Sequence, residues 1–404
     1  MIPIPDITDS YSSHHKRAAP ERHPLAGYSL ASLLQGATQL RPTGLALQDD
    51  GASGALTLAG LLQKVEVQAA RLFATGLNPG DTAALIATPA NATIVSLLAA
   101  CRLGLNVVLL PPAMTREMRI ETTGALGADA ILSPASFDGL DLAEEALASA
   151  MANESVRVVG MTQGVVPDGA IALDGFVALD EASPLPSEPR GANMTRLITF
   201  EMTPQGRAMP MVQEQATLIA AAMAFVDVVK LGQGQRLVTS LPPATHAGLA
   251  AGLVAMLLSG MTLHYMPVFS LEALTRARQL LPPASLLLPE RVVMAMSADA
   301  DAAQGWQTLL AMSRWSAEGL SYTPPHALSF SAPLFDLHAF GERAMLSVKR
   351  DAQGRATALP DAPQDFALNG ANVTALKIEE TPAGAMILSG AAVSGQHLQS
   401  RPSV

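Results

Sequence analysis

The amino-acid sequence predicts an α/β fold in which two stacked α/β subdomains with mainly parallel sheets precede a small C-terminal β subdomain. Two observations carry this prediction. Short apolar runs alternate with longer amphipathic runs from residue 57 to about residue 350, and helix signals stop after that point. Strands joined through a helix pair in parallel, so the alternation predicts crossover units. With 404 residues, 49% hydrophobic and 15% charged, the chain has the length and apolar content for two or three packed units.

The first subdomain begins with a helix whose apolar face recurs at helical spacing from Leu58 to Phe73. Thr57 is placed to cap its start, and Gly76 is placed to end it. The elements predicted next are, in order, a strand over residues 82–87, a helix capped by Asn91 and ended by Gly104, a strand over 106–110, a helix over 115–126 and a strand over 128–132.

The alternation is predicted to pause over residues 134–194, which include a proline- and acid-rich segment from Asp180 to Pro189. It resumes with a second series of strands and helices, followed by short β-like runs. These are strands over 196–200, 236–241 and 261–266, helices starting near 214 and over 248–258 and 271–280, and β runs over 373–378 and 385–388. The predicted divisions are a polar arm over 1–27, a first α/β subdomain over 28–190, a second over 191–350 and a β subdomain over 351–404.

Composition excludes several classes of function. The net charge is −10 with no basic stripe, so we expect no nucleic-acid partner. The single cysteine, Cys101, lies in an apolar run and is predicted to be a buried hydrophobe, and the basic cluster from His14 to Arg17 belongs to the polar arm. The uncharged stretch from Ala247 to Leu263 is short for a membrane span and contains glycines, and the N-terminus has no signal-peptide pattern. We therefore expect a cytoplasmic protein without a membrane span.

Five segments, taken in one order, resemble the adenylate-forming family of acyl-CoA synthetases, aryl-CoA ligases, adenylation domains and luciferases. They cover residues 76–111, 199–208, 241–249, 337–344 and 383–395. Members of this family join ATP to a carboxylate, release pyrophosphate and pass the acyl-adenylate to a thiol. The resemblance covers about residues 28–396 and implies the fold of the family's large N-terminal domain. We expect the family's C-terminal domain, which carries a catalytic lysine, to be absent.

The second segment is similar to the family's phosphate loop, T-S-G-T-T-G-x-P-K-G. A β-like run leads into it, and a helix-like run leads out near Glu214. Thr199 and Thr203 match the threonines, and Arg207 stands in the lysine position. The pattern has serine, glycine, threonine, glycine and glycine at five positions where this chain has Phe200, Glu201, Met202, Pro204 and Ala208. Glycines let backbone N–H groups turn toward phosphate, so their loss predicts a poor phosphate cradle.

The third segment looks like the family's L-P-x-x-H-x-x-G-L, with His246 in the histidine position and Gly248 one residue early. The resemblance implies a place beside the acyl pocket. The alternative is a helix-capping or core histidine. The methionines Met256, Met261 and Met266 are candidate lining residues of such a pocket, or ordinary core residues.

The fourth segment is similar to the family's Y-G-x-T-E, in which the tyrosine stacks on adenine and the glutamate binds magnesium. Phe340 and Gly341 keep the aromatic residue and the glycine, so the resemblance places them at the adenine site. Arg343 and Ala344 replace the threonine and the glutamate, so no metal site is predicted. Glu342 is two positions out of register, and we expect its carboxylate to point elsewhere.

These losses predict a degenerate acyl-CoA synthetase-like pseudoenzyme that binds an acyl or aryl carboxylate, or acts as a scaffold beside an acyl carrier protein, a ligase or another protein. No cofactor is expected, and ATP, AMP and magnesium would bind only if the family activity survives. The alternative is an active ligase of acyl or aryl acids, completed by a C-terminal domain supplied in trans. A third reading is a purely structural subunit of a larger assembly.

Overall fold

Two large β-sheets and the helices packed on them form the framework of the protein. Most of the polar arm, Pro204 and most of the segment from 180 to 189 lie outside the residues that the structure describes. The computed structural model describes residues 23–50, 54–173, 185–187, 195–203, 206–280, 284–297, 304–315, 328, 330–360, 362–380, 386–394 and 396–397.

The helices alternate with strands over most of the chain. They are α1 (Leu30–Leu40), α2 (Leu58–Ala74), α3 (Asn91–Leu103), α4 (Arg116–Ala125), α5 (Leu142–Ala152), α6 (Gln215–Val229), α7 (His246–Gly248), α8 (Ala255–Ser259), α9 (Leu271–Leu280) and α10 (Glu290–Met296), with a π-helical stretch, Leu249–Val254, between α7 and α8.

The strands fall into two groups along the chain. The first group is β1 (Leu45–Asp49), β2 (Leu56–Thr57), β3 (Thr82–Ile86), β4 (Asn106–Leu110), β5 (Ala130–Pro134), β6 (Ser136–Phe137), β7 (Leu140–Asp141), β8 (Val158–Gln163) and β9 (Ile171–Ala172). The second group is β10 (Leu197–Met202), β11 (Ala208–Gln213), β12 (Arg236–Thr239), β13 (Thr262–Tyr265), β14 (Ala284–Pro289), β15 (Thr308–Trp315), β16 (Leu334–Phe340), β17 (Ala344–Lys349), β18 (Gln364–Leu368), β19 (Ala371–Glu380), β20 (Met386–Ser389) and β21 (Gln396–His397).

The two large sheets have eight strands each, and the chain passes from one sheet to the other more than once. We call β17-β16-β15-β14-β12-β13-β1-β2 the first sheet and β21-β11-β10-β4-β3-β5-β8-β9 the second sheet. Interior neighbours such as β12 and β14, or β3 and β4, pair in parallel. In contrast, β17 pairs antiparallel with β16, and β11 pairs antiparallel with β10. A small antiparallel sheet, β18-β19-β20, follows. The predicted fold class is confirmed. The predicted subdomain boundaries stay predictions. The two sheets do not divide at residue 190, because β1 precedes that residue and lies in the first sheet, whereas β10 follows it and lies in the second.

One apolar core lies between the two sheets, and each sheet packs a second core on its outer face. The inner core joins Leu85 and Leu109 of the second sheet to Leu263 and Leu287 of the first, with Phe225 of α6 among them. The outer core of the first sheet includes residues of α9 and α10, and that of the second sheet includes residues of α5. The layers therefore run helix, sheet, helix, sheet, helix.

Local signals explain several boundaries. Thr57 accepts a hydrogen bond from the Gly60 amide at 3.1 Å and starts α2. Gly104 adopts φ +86° and ends α3 as predicted, because glycine enters the left-handed region without strain. The predicted cap of α3 was wrong by one residue. The cap is Ala90, and the Asn91 amide donates instead to the Asp49 carboxylate at 2.9 Å.

The predicted pause over residues 134–194 was wrong in part. It contains α5, capped by the Asp141 carboxylate at 2.9 Å from the Glu144 amide, and β8, which extends the second sheet beside β5. Within the described part of the chain, no helix is both long and apolar enough to cross a bilayer.

Candidate functional site

The predicted phosphate loop is the tip of a β-hairpin. It was expected to connect a strand to a helix, but β10 pairs antiparallel with β11, and α6 starts only after β11. Phe200, Glu201 and Met202 therefore lie in the strand, opposite Pro210, Met209 and Ala208. Most of the positions that resemble the loop have their backbone in the ladder of a sheet.

The described tip of the hairpin uses its own backbone donors. The Thr203 amide donates to the Arg207 carbonyl at 2.9 Å, and the Gly206 amide donates to the Thr203 carbonyl at 2.9 Å. The Arg207 amide donates to the Thr203 hydroxyl at 3.1 Å. Gly206 allows this closure because its φ is +76°. These three N–H groups point into the hairpin rather than toward a ligand.

Thr199 lies within β10, farther from the hairpin tip, and is fully buried. Its hydroxyl accepts a hydrogen bond from the Gln213 side chain at 2.9 Å. The same Gln213 amide nitrogen donates to the Glu342 carbonyl at 2.7 Å. The structure thus brings Thr199 to the fourth segment, while Thr203 and Arg207 bond to each other at the tip.

His246 is the first residue of α7 and is 1% exposed. The Gln213 side-chain oxygen lies 2.9 Å from its Nδ1 and accepts the Ser394 hydroxyl at 2.6 Å. Because the Gln213 nitrogen donates to two acceptors, its oxygen is the acceptor here, so Nδ1 carries the proton and Nε2 does not. Burial lowers the pKa of His246 to about 4, so the ring is neutral at pH 7.

Gly248 closes the first turn behind His246. Its amide donates to the Thr245 hydroxyl at 3.0 Å, and a Cβ there would collide with the Pro242 carbonyl oxygen. The glycine therefore permits a close approach of two backbone segments. It positions His246 and offers no side chain to a ligand.

Phe340 is the last residue of β16 and is 1% exposed, and Gly341 begins the turn that follows. The Phe340 ring lies 6.5 Å from the ring of His338, centroid to centroid. Gly341 has φ +54°, and a Cβ at that position would lie 2.5 Å from the Glu201 carboxylate. Glycine is needed here because the carboxylate of the hairpin packs directly against the turn.

Glu342 is the central residue of the site, and whether its carboxylate reaches the family's magnesium position stays a prediction. It is fully buried, and its Oε2 accepts the His246 amide at 2.6 Å. Its Oε1 accepts a hydrogen bond from Arg314 of β15, and the Thr199 hydroxyl also donates to the carboxylate. The β16–β17 turn brings the carboxylate back between the two sheets, so the two-residue shift in sequence does not remove it from the site.

The ionisation of Glu342 is finely balanced. Burial raises its pKa from 4.5 to about 7, against the lowering effect of Arg314, the His246 amide and Thr199, and the nearby Glu201 raises it further. Ala344 starts β17, is fully buried and offers no carboxylate at the position where the family has its magnesium ligand. Among the described residues, no group of three or more His, Cys, Asp or Glu side chains is arranged to hold a metal ion.

Gln213, Arg314 and Ser394 were not identified from the sequence. Gln213 and Arg314 lie outside the five segments, Ser394 lies inside the fifth without having been singled out, and Gln213 is 129 residues from Glu342 in the chain. In the sequence they are marked only as polar residues among apolar ones. Many surface-exposed residues look the same in the sequence. The polar network of Thr199, Gln213, His246, Arg314, Glu342 and Ser394 is hereafter called the Glu342 network.

Comparison with known proteins gives a family for this arrangement. A family model described as AMP-binding enzyme matches residues 35–316. No curated protein sequence matches the chain significantly.

Several solved structures have a similar fold. O-succinylbenzoate coenzyme A synthetase from Bacillus subtilis, in complex with ATP and magnesium ion, aligns with a TM-score of 0.66 and 16% identity over 91% of this chain and 72% of that one. MbtA of Mycobacterium smegmatis gives 0.69 and 17% over 93% and 68%. The N-terminal subdomain of NpsA from Klebsiella oxytoca, in complex with 3-hydroxyanthranilyl-AMSN, gives 0.63 and 13% over 94% and 90%. At these identities the likeness shows the fold. Because the family model covers more than half of the sequence, the chain belongs to the AMP-binding enzyme family.

Proposed function

We propose that this protein does not adenylate carboxylates and instead binds an aromatic or other acyl carboxylic acid, as a binding or scaffold subunit. The observation that carries the proposal is the buried carboxyl group of Glu342, held between the hairpin, α7 and β15. A protein that uses this region to hold a triphosphate would need donors and positive charge there. Here the donors are already engaged.

The hairpin supports the same proposal. The amides of Thr203, Gly206 and Arg207 donate within the tip, so they are not available as a phosphate cradle. Glu201 adds a carboxylate against Gly341. Arg314 is the cation beside this cluster, and Glu342 already accepts from it. The residues present therefore do not fit ATP with magnesium, and no step of the proposed function involves them.

His246 supports the binding of an acid rather than a purely structural role. Its Nε2 is buried and has no hydrogen-bond partner among the described residues. A buried acceptor without a donor costs about 1–3 kcal/mol, and a hydroxyl or protonated carboxyl group would recover part of that cost. The apolar stretch from Leu249 to Val254 continues directly from α7 and is buried throughout. An aromatic ring with a donor group suits such surroundings.

Two of the similar structures motivate the choice of aromatic acids within this class. The Bacillus subtilis relative is named for O-succinylbenzoate, and the Klebsiella oxytoca subdomain is bound to a 3-hydroxyanthranilyl compound. We extend this chemistry to the present chain as part of the proposal. A protein partner such as an acyl carrier protein or a ligase, and a cytoplasmic location, belong to the same proposal.

Thermal unfolding in the presence of ligands tests the proposal. The melting temperature would be measured with ATP–Mg²⁺, AMP, and a panel of aromatic and aliphatic carboxylic acids. A ligand at 100 times its Kd stabilises by about 2.7 kcal/mol, which is a shift of a few degrees. We expect a shift with one or more aromatic acids and none with ATP–Mg²⁺. A shift with no acid would favour the scaffold role, and a shift with ATP–Mg²⁺ would favour the alternative of an active ligase completed in trans.

A pair of variants locates the bound acid. His246→Phe removes the buried acceptor, and we expect it to abolish the acid-dependent shift. His264 is a second buried histidine, 2% exposed, whose Nε2 pairs with Asp50. His264→Phe should leave the shift intact, each variant being compared with its own melting temperature without ligand. Equal loss in both variants would contradict a site at His246.

A further inference from the structure

The side-chain amide of Gln213 has one orientation that its partners allow. Its nitrogen lies 2.7 Å from the backbone carbonyl oxygen of Glu342 and 2.9 Å from the Thr199 hydroxyl. A carbonyl oxygen can only accept a hydrogen bond, so the amide nitrogen and not the amide oxygen must face it. The Gln213 oxygen therefore faces the other way, toward His246 and Ser394.

This orientation decides which nitrogen of the His246 ring carries the proton. The Gln213 oxygen has no hydrogen to donate, so its contact of 2.9 Å with Nδ1 requires a proton on Nδ1. The ring is buried, and no carboxylate pairs with either ring nitrogen among the described residues. A second proton would place a cation there without a counter-charge, so the ring is neutral and Nε2 presents a lone pair.

The backbone of His246 is held by the same network. Thr199 accepts a hydrogen bond from Gln213 and donates to the Glu342 carboxylate. That carboxylate accepts the His246 amide at 2.6 Å. Nε2 is buried and has no hydrogen-bond partner in the part of the chain that the structure describes. The fold therefore holds His246 at both its ring and its backbone and presents Nε2 as a hydrogen-bond acceptor.

A ligand at Nε2 must supply a donor. The carboxyl group of an acid does not supply one, because carboxylic acids lose their proton at about pH 4 and then offer only acceptor oxygens. A phenolic hydroxyl keeps its proton up to about pH 10. We propose that Gln213 is a positioning residue that fixes His246 as an acceptor, and that the bound acid is an aromatic acid whose ring hydroxyl donates to Nε2. This inference rests on the proposed function, within which it names the ligand.

Nitrogen NMR detects the protonation of each ring nitrogen. The chain would be labelled with ¹⁵N-histidine, and the signals of His246 among the eight histidines would be assigned by their loss in His246→Phe. We expect a protonated Nδ1 and an unprotonated Nε2 at pH 7 in the wild type. A proton on Nε2 in place of Nδ1 would overturn the proposal, whether or not the Gln213 variant below folds.

Gln213→Met separates positioning from stability. Methionine fills a similar volume without the two polar atoms, so Nδ1 loses its acceptor and the proton can move to Nε2. The matched control is Gln215→Met, because Gln215 is 3% exposed and its side chain bonds to Leu30 and Thr195. We expect changed His246 signals in Gln213→Met and wild-type signals in Gln215→Met. Unchanged signals in Gln213→Met, or equal changes in both variants, would show that Gln213 does not set the position of the proton.

Paired ligands test the class of acid. Dissociation constants would be measured by calorimetry for the ortho, meta and para hydroxybenzoates, each beside its methyl ether, which cannot donate. We expect at least one hydroxybenzoate to bind about tenfold or more tightly than its ether, because the ether leaves the buried Nε2 without a donor. In Gln213→Met this ratio should fall toward unity. Equal binding within every pair would overturn this inference and leave the proposed function standing, whereas binding of no aromatic or aliphatic acid would overturn both.

Discussion

Replacement of Gln213 by alanine should be among the most destabilising single changes in this protein. Gln213 is fully buried, and its side chain makes four hydrogen bonds, to Thr199, His246, Ser394 and the Glu342 carbonyl. Removal of the amide leaves these four groups in a buried environment without their partner. Each such group costs about 1–3 kcal/mol, and because neighbouring losses do not add fully, we expect a total of about 3–5 kcal/mol.

The chain offers a matched control in Gln68. This residue is 5% exposed, and its side chain donates one hydrogen bond, to the Ser96 hydroxyl at 2.8 Å. Gln68→Ala removes the same atoms from similar burial, but it removes a single hydrogen bond, and the Ser96 hydroxyl still donates to the Ala92 carbonyl at 2.9 Å. We therefore expect a loss of about 1–2 kcal/mol. Both costs would be measured as changes in the free energy of unfolding by guanidinium denaturation, followed by circular dichroism. Equal costs in the two variants would show that Gln213 does not organise the site.

Three other outcomes follow from the same geometry. Gly341→Ala should lower the free energy of unfolding by about 2 kcal/mol or more in guanidinium denaturation, because φ is +54° and the new Cβ would meet the Glu201 carboxylate; a cost near zero would contradict that packing. Asp336→Asn should cost about 3–5 kcal/mol in the same assay, because Asp336 is the buried partner of Arg350, with N–O distances of 2.7–3.0 Å; a loss below about 1 kcal/mol would argue against a buried charge pair. The pKa of Glu342 is raised in the folded state, so its contribution to stability is present below about pH 4.5 and is lost as pH rises through about 7. Denaturation across this pH range should show that the wild type loses on the order of 3 kcal/mol of unfolding free energy relative to Glu342→Gln. Plots of unfolding free energy against pH that run parallel in the two proteins would contradict this expectation.

Much of the framework follows from local sequence signals. The helix at α2 has a capping threonine and an apolar face with helical period. The strand β4 has four consecutive apolar residues after Asn106, shortly behind Gly104, so the bounds of both elements follow from residues close by. The strand β11 was missed because Pro210 lies inside it, and proline is uncommon in paired strands. Pro210 is accommodated opposite Phe200 near the edge of the second sheet.

The candidate site was less accessible from the sequence. The resemblance assigned Thr199, His246 and Gly341 to three different motifs, and in the structure each of them contacts the Glu342 network or the turn after β16. The position of the Glu342 carboxylate depends on the turn after β16 and on how the two sheets face each other. Neither is encoded in residues near position 342. Gln213 joins the groups through tertiary contacts alone, so no local pattern marks it.

We propose that the hairpin and the Glu342 network leave no place for a magnesium triphosphate. Calorimetric titration of the full chain with ATP–Mg²⁺ at pH 7 tests this proposal, with Arg207→Ala as the companion variant. We predict no saturable binding tighter than a Kd of about 1 mM in either protein. Saturable binding in the micromolar range that is lost in Arg207→Ala would show that the hairpin tip still holds phosphate, and would contradict the claim.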